Sequence, residues 1–542
     1  MRGLMMDFPL TVTAMLRRTE SLFGDKTVVS RSAKRIVTRL TYAETINRSR
    51  RLAGALSGLG VRPGDRVATL GFNHFQHLEA YMAVPVLGAV LHTLNPRLHV
   101  DDIAYMIGHA GDQVLLADEN LLPLVQEILA RVALRHVIVM QQTGDAPEGI
   151  LSCEDLVAGA APLAESYDSD ERDAAAICYT SGTTGKPKGV VYSHRAIVLH
   201  SIASAMTDAL AIGEADTVMP VVPMFHVNAW GLPFTALFVG ASQVLPGPHV
   251  DPESLLGLIE SENVTFTAAV PTIWLAVLSA LDRNPDRYHL GSLHTILCGG
   301  AVAPPAMIRR YQERYGLRIL HSWGMTELTP VGAVGRLRPA ELDESVENQF
   351  RLRAKQGRPM PLVEIRARNA SGLAPWDGAT CGELEVRGPW VASGYYDNPG
   401  SSDRFTGDGW FKTGDIVTID STGRIDIKDR EKDLVKSGGE WISSVALEVA
   451  LMSHPGIVEA AVIAVEDPRW DQRPIAVIVP RPGETITIEE VRAFLEPHFP
   501  KWWLPDAVEY VEQIPRNPTG KVQKAALRER FRQPAATVLP SV

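Results

Sequence analysis

The sequence predicts an α/β fold with a smaller α+β unit behind it, and three observations carry that prediction. Apolar strand-like runs alternate with helical repeats through the first 140 residues, the pattern of a parallel sheet with helices packed on it. Four later segments share one design, an apolar strand running into a polar or glycine-rich loop. After about residue 430 the texture changes to shorter elements, a unit of about 110 residues that is large enough to fold by itself.

Thr41 and Glu44 form a capping box for a helix over 41–60, with Leu52, Leu56 and Leu59 on one face and Gly58 and Gly60 at its end. Arg66–Leu70 reads as a strand, and a helix follows from about His74. Val114–Asp118 and His136–Met140 read as strands flanking a helix over 120–132. The four strand-to-loop segments are 176–179 before 180–189, 221–222 before 223–226, Thr295–Cys298 before 299–301, and 318–320 before 321–327. Ligands of open α/β sheets sit beyond the carboxyl ends of the strands, so these four loops are expected to line one site. Beyond a basic segment at 429–439 come a short helix near 444–453, strands over 459–465 and 474–480, a helix capped by Thr487 and Glu490, and a strand over 507–511. No internal repeat is present, and the tail after about Arg532 is expected to be loose.

Composition excludes several classes. Hydrophobic residues at 45% and charged residues at 21% are those of a globular protein with large cores. A net charge of −10 argues against a general nucleic-acid binder. Cys153, Cys178, Cys298 and Cys381 are far apart without metal-ligand spacing, which suits a reducing compartment. The N-terminus has no signal-peptide pattern, no apolar run reaches membrane-spanning length, and the last residues are not a Ser-Lys-Leu address. A cytoplasmic protein with no membrane span is expected.

The chemistry starts at 179–189, Tyr-Thr-Ser-Gly-Thr-Thr-Gly-Lys-Pro-Lys-Gly. Glycines let backbone N–H groups converge on phosphate oxygens, hydroxyls add donors and lysines add charge, so this loop is suited to wrap an anion. A flexible surface loop is the bland alternative. It is not a Walker A loop: the glycine spacing is wrong and Pro187 follows Lys186. Glu327 offers an oxygen ligand for Mg²⁺, and Thr326 adds a hydroxyl. Trp323 offers a flat surface for a base, and Gly299 and Gly300 allow close backbone approach. Asp415 either accepts hydrogen bonds from ribose hydroxyls or makes a local turn. Lys521, on a turn in Pro-Arg-Asn-Pro-Thr-Gly-Lys, either reaches a developing negative charge or is solvated surface.

In this order the motifs resemble the acyl-adenylate-forming (AMP-binding) superfamily, which includes acyl-CoA synthetases, luciferases and peptide-synthetase adenylation domains. The resemblance runs from about residue 20 to 530 through 179–189, Trp-Phe-Lys-Thr-Gly-Asp415, Asp-Arg-Glu-Lys-Asp433 and Pro-Thr-Gly-Lys521. The runs 223–230, 245–248 and 436–444 are most similar to bacterial medium- and long-chain fatty-acyl-CoA synthetases. The resemblance implies a large N-terminal domain of stacked α/β subdomains, residues 1–428, and a small mobile α+β C-terminal domain, residues 429–542. It implies ATP, Mg²⁺ and coenzyme A, and two half-reactions: a carboxylate displaces pyrophosphate from ATP to give acyl-AMP, and the CoA thiol then displaces AMP.

Residue by residue, the resemblance makes Lys521 the catalytic lysine, with Glu327 and Thr326 beside it, and Glu327 and Thr180 the metal ligands. It assigns ATP contacts to Thr180, Ser181, Gly182, Thr183, Thr184, Gly185 and Lys188, and to Gly300, Ala301, His321, Ser322, Trp323 and Thr326. Trp323 stands where many members have tyrosine, which keeps a stacking surface and loses a hydroxyl. Asp415 and Arg430 match the ribose-binding pair, and Lys432, Lys436 and Trp441 match positions facing the nucleotide in a closed state. Asp429 matches the hinge, and Lys436, Gly438 and Gly439 line the route for CoA. His226, Val227, Trp230 and Gly300 form the acyl pocket, with Trp230 as a gate; Trp274 is either a second wall or core.

No aspartate stands in the pocket to pair with an amino group, so an aliphatic acid is expected over an amino acid. A short or methylthio-substituted acid, or a separate carrier protein in place of CoA, are the alternatives. A non-catalytic nucleotide-binding regulator is disfavoured by the presence of Lys521, Glu327 and Asp415, and a hydrolase by the absence of Gly-x-Ser-x-Gly and His-Glu-x-x-His motifs. Residues before about 20 either support a homodimer, as in some relatives, or form a loose arm.

Overall fold

The structure is a computed structural model that describes residues 1, 3–141, 145–164, 166–180, 186–438, 440–516 and 522–531. Three sheets build the large part. The first has seven strands in the order Leu151–Ser152, His136–Met140, Val114–Asp118, Arg66–Leu70, Val90–Thr93, Ala174–Tyr179 and Gly189–Ser193. All neighbours are parallel except the last pair, which is antiparallel. Its strands Val90–Thr93 and Val114–Asp118 are buried on both faces, as a helix-covered parallel sheet requires.

Local sequence rules hold here. Thr41 Oγ1 accepts from Glu44 N at 3.2 Å and Glu44 returns the bond to Thr41 N at 2.7 Å, so the expected capping box starts the helix Tyr42–Gly58. The strands expected at Arg66–Leu70, Val114–Asp118 and His136–Met140 form with those limits. The helix expected over 120–132 is shorter. A 3₁₀ turn at Glu119–Leu121 precedes Leu122–Leu129, because Pro123 can stand only in the first turn of an α-helix.

The second sheet has nine strands, and its central run is Arg318–Gly324, Thr295–Cys298, Phe266–Ala269, Thr217–Pro220 and Ser242–Leu245, all parallel. Two of the expected strand-to-loop boundaries move. Residues 221 and 222 lie just past their strand, both donating to Ala268 O. Residues 321–324 stay in the strand, because Val331–Val334 folds back and pairs with them antiparallel. The third sheet is antiparallel: Gly372–Leu373, Glu364–Asn369, Gly382–Arg387, Phe411–Ile419 and Ile425–Arg430. Asp429 and Arg430 end it.

The small unit follows with the hairpin Val435–Ser437 and Glu440–Ile442, the paired strands Ile457–Asp467 and Asp471–Pro480, and a parallel edge strand Ala507–Tyr510. Thr487 and Glu490 form the expected capping box. A helix at Lys524–Arg530, absent from the sequence reading, closes it. No helix among the described residues is long and apolar enough to cross a membrane. No two cysteines are joined.

Three of the buried histidines in the large part carry a strong shift. His77 bonds Phe72 O and Thr69 Oγ1, His194 Nδ1 accepts from Val12 N, and His200 Nε2 accepts from Val331 N. Burial lowers each to about 4. Their folded values lie below the ordinary unfolded value of about 6.5, so on acidification the unfolded chain binds protons first. The histidine contribution to stability is therefore full above about pH 6.5 and is lost as pH falls toward 4. Unfolding free energy measured in urea should fall from pH 6.5 to pH 5 by up to about 4 kcal/mol per pH unit for three protons. A constant value across that interval rules the account out.

Candidate active site

The anion-wrapping loop joins Ala174–Tyr179 to Gly189–Ser193, with Tyr179 opposite Gly189. A strand, not a helix, follows it, so a Walker A geometry is absent here. The loop is pinched at its base: Thr180 N donates to Lys188 O at 2.9 Å, and Lys188 N to Thr180 Oγ1 at 3.2 Å. Ser181, Gly182, Thr183, Thr184 and Gly185 lie outside the described residues.

Lys188 leads to Glu327. Its Nζ sits 4.9 Å over the ring of Tyr395, whose hydroxyl donates to Glu327 Oε1 at 2.6 Å. Burial, then the charge of Glu327, push the Tyr395 phenol up, so it stays protonated as the donor. Glu327 is 7% exposed, and its backbone O takes a bond from Ala392 N. Thr326 O accepts from Tyr192 OH at 2.6 Å. Neither tyrosine was singled out from sequence; the pair Tyr395-Tyr396 in an otherwise polar loop was the available signal.

At the other end of the site Asp415 is 2% exposed and doubly held. Trp323 Nε1 donates to Oδ2 at 2.9 Å, and Arg430 Nε meets Oδ1 at 2.6 Å across the strand register that pairs Asp415 with Arg430. Trp323 is itself 7% exposed and packs on Gly332, where a Cβ would come within 2.6 Å of the ring. Orientation of Asp415, rather than an open stacking face, is what the structure gives Trp323. His321 is buried too: Nδ1 bonds Ala354 O at 2.9 Å and Nε2 accepts from Ala303 N at 3.4 Å, so its ring supports the wall from behind. Ser322 Oγ donates to Cys298 O.

Gly299 and Gly300 join the nucleotide and acyl candidates. A Cβ at Gly299 would meet Ser322 Oγ at 2.6 Å and Trp230 at 3.2 Å, and Gly300 has φ +80°. Only glycine lets the backbone come this close. Ala301 is exposed beside them. Trp230 ends a left-handed turn: Val227, Asn228, Ala229 and Trp230 have φ of 42°, 51°, 49° and 58°, and Gly231 closes it at 74°. Each non-glycine residue there costs about 1–2 kcal/mol, and a β-branched valine is an outlier. His226 is half-buried at the start of this turn. Trp274, by contrast, is 0% exposed and donates to Ala269 O and Leu297 O, which makes it core.

In the small unit Lys436 Nζ lies 5.1 Å over Trp441, its partner across the hairpin. Gly438 has φ +59° and faces Trp470. Lys432 is exposed. Asp429 is buried, and its Oδ2 accepts from Ser444 N at 2.7 Å and Ser444 Oγ at 2.5 Å, at the start of Ser444–Leu451. Lys521 and Gly439 lie outside the described residues. No group of three or more metal-ligating side chains exists among the described residues. Glu327 therefore belongs to no all-protein cage among the described residues, which fits Mg²⁺ shared with phosphate oxygens.

Comparison with known proteins gives this geometry its class. Residues 16–396 match the AMP-binding enzyme family, and residues 446–521 match the AMP-binding enzyme C-terminal domain. The chain belongs to the AMP-binding enzyme family. It is similar to a long-chain-fatty-acid–CoA ligase of Thermus thermophilus, 51% identical over 97% of each chain. It is also similar to a medium-chain-fatty-acid–CoA ligase of Ectopseudomonas oleovorans, 43% identical over 98% of each, and to a 3-methylmercaptopropionyl-CoA ligase of Ruegeria pomeroyi, 42% identical over 98% and 99%. Among solved structures it resembles an anthranilate CoA ligase in complex with anthranoyl-AMP, with TM-score 0.85, 26% identity and coverage of 97% and 98%.

Tyr395→Phe keeps the ring under Lys188 and deletes the bond to Glu327. A hydrogen bond to a charged group is worth about 1.5–3 kcal/mol, so kcat/KM for the nucleotide should fall roughly 10- to 100-fold in steady-state kinetics. An unchanged kcat/KM would show that Tyr395 does not organise Glu327.

Proposed function

We propose that this protein is an ATP-dependent acyl-CoA ligase that activates a medium- or long-chain fatty acid. One observation carries the reading most directly: the base of the phosphate loop reaches Glu327 through Lys188 and Tyr395, while the Asp415–Arg430 pair is hydrogen-bonded to Trp323 on the strand that leads to Glu327. A triphosphate at the first and a ribose at the second leave the α-phosphate between them. Trp230 against Gly299 and Gly300 supplies apolar surface for an acyl chain.

In the first half-reaction a carboxylate oxygen bonds to the α-phosphorus of ATP and the bond to pyrophosphate breaks. Two anions must meet, so the site needs positive charge, which Lys188 and Lys521 supply in this reading. Glu327, with Thr180, would hold Mg²⁺, which neutralises charge on the departing pyrophosphate. In the second, the CoA sulfur bonds to the acyl carbon, AMP leaves, and the thiol proton is lost. The chain divides at Asp429, with residues 429–542 turning about it between the half-reactions to exchange Lys521 for the Lys436–Gly438–Gly439 surface. The working place is the cytoplasm, as a monomer or a homodimer.

A short thioether acid is the second reading, favoured by the relationship to the 3-methylmercaptopropionyl-CoA ligase. Release of AMP from a panel of acids, assayed with and without CoA, separates the two: the fatty-acid reading requires the highest kcat/KM on medium or long chains. Lys521→Ala should slow acid-dependent ATP–pyrophosphate exchange by roughly 10²–10³-fold, the scale for one lost transition-state charge contact, and should spare thioester formation from supplied acyl-AMP. Equal loss in both half-reactions would sink the assignment of Lys521.

A further inference from the structure

In a chain of net charge −10, a cluster of arginines lies outside the candidate active site. It gathers where the strand Val331–Val334 meets Arg358–Pro359 and the start of Ile425–Arg430. Val334 pairs with Arg358, which sets Arg336 two residues further along; Gly357 O accepts from Ile425 N at 2.7 Å, which brings Arg424 beside Arg358; and Arg353 ends the helix Val346–Arg353 just before this bridge.

Arg424 is 0% exposed, yet only its Nη2 is paired, to Glu341 Oε2 at 2.5 Å. Its Nε and Nη1 are buried without a hydrogen-bond partner, as are Nε of Arg353 and Nε of Arg358. Arg353 and Arg358 have no ion pair among the described residues; neither does Arg336, whose guanidinium donates only to the carbonyls of Ala209 and Leu210. Burial holds all three below the ordinary arginine value, and neighbouring arginines lower them further. Glu341 is the one carboxylate among the described residues that is ion-paired with the cluster, with Asp208 exposed further out. Arg424 is the buried one and has Glu341, whereas Arg336, Arg353 and Arg358 are half-buried and have no ion pair among the described residues, so four neighbouring guanidinium groups share one close carboxylate and favour a further anion. Planar, always-charged donors with free N–H groups suit a phosphate group.

We propose that Arg353, Arg358 and Arg424, with Arg336 beside them, form a second phosphate-binding site made of residues separate from the 180–188 loop. The phosphate group comes either from free phosphate or from the phosphates of coenzyme A.

Phenylglyoxal labelling of the full-length protein, resolved by mass spectrometry at Arg353 and Arg358, tests this without mutation. At constant ionic strength set with chloride, orthophosphate should slow labelling at both positions about tenfold, the change expected when most of the sites are filled. Protection by coenzyme A but not by 3′-dephospho-coenzyme A, with none by orthophosphate, assigns the site to the cofactor's 3′-phosphate; protection by orthophosphate assigns it to free phosphate. Labelling rates equal to those in chloride with every one of these probes overturn the proposal. In Arg353→Gln/Arg358→Gln, the rise in melting temperature that orthophosphate gives the wild type should shrink by at least the share this site supplies; an undiminished rise also overturns it.

Discussion

The candidate site depends on two buried carboxylates that are held across a sheet boundary in opposite directions. Glu327 follows a strand of the nine-stranded sheet and is held by Tyr395, from the connection between two strands of the antiparallel sheet. Asp415 lies on that antiparallel sheet and is held by Trp323, from the nine-stranded one. A carboxylate out of water must be hydrogen-bonded or give up its charge. Each bond therefore satisfies one buried acid and also ties the two sheets together. Lys188 over Tyr395 brings the seven-stranded sheet into the same arrangement. Three sheets meet at the candidate site.

One run of broken local rules falls beside the candidate acyl pocket. Four consecutive left-handed residues at Val227–Trp230 are expensive, and only Asn228 among them is suited to that conformation. The turn is held by burial and by Cys178 Sγ donating to Asn228 Oδ1 at 3.4 Å, and it places Trp230 against Gly299. Strain kept by its surroundings is common at ligand sites, and conflicts between local and global preference are expected there. In the arginine cluster, Arg424 sets burial against charge and keeps Glu341 beside it.

Much of the fold was legible in order along the chain. The capping boxes at Thr41/Glu44 and Thr487/Glu490 form where the residues say, because their hydrogen bonds reach only three positions, and the strands at Arg66–Leu70 and His136–Met140 form where a short apolar run marks them, although their partners are distant. Errors arose where a distant partner decides. Residues 321–324 read as loop until Val331–Val334 pairs with them, and neither the antiparallel sheet over 364–430 nor the hairpin over 435–442 was assigned, since each strand there is defined by its neighbour.

The amino-acid sequence by itself determined the chemistry available: a hydroxyl- and glycine-rich loop with two lysines, one acid after Gly-Met-Thr, one after Lys-Thr-Gly, and their order, enough to indicate a family of carboxylate-activating enzymes. Only the tertiary structure decided which groups meet. Tyr395, unremarked in sequence, became the link between Lys188 and Glu327; Trp323 became the clamp on Asp415; Trp274 went to the core while Trp230 went to the glycine pair. The reason is physical. Residue type limits what a side chain can donate or accept, but burial and partner are properties of the packed chain, and they alone set whether a carboxylate is oriented, a ring is covered or a guanidinium is paired.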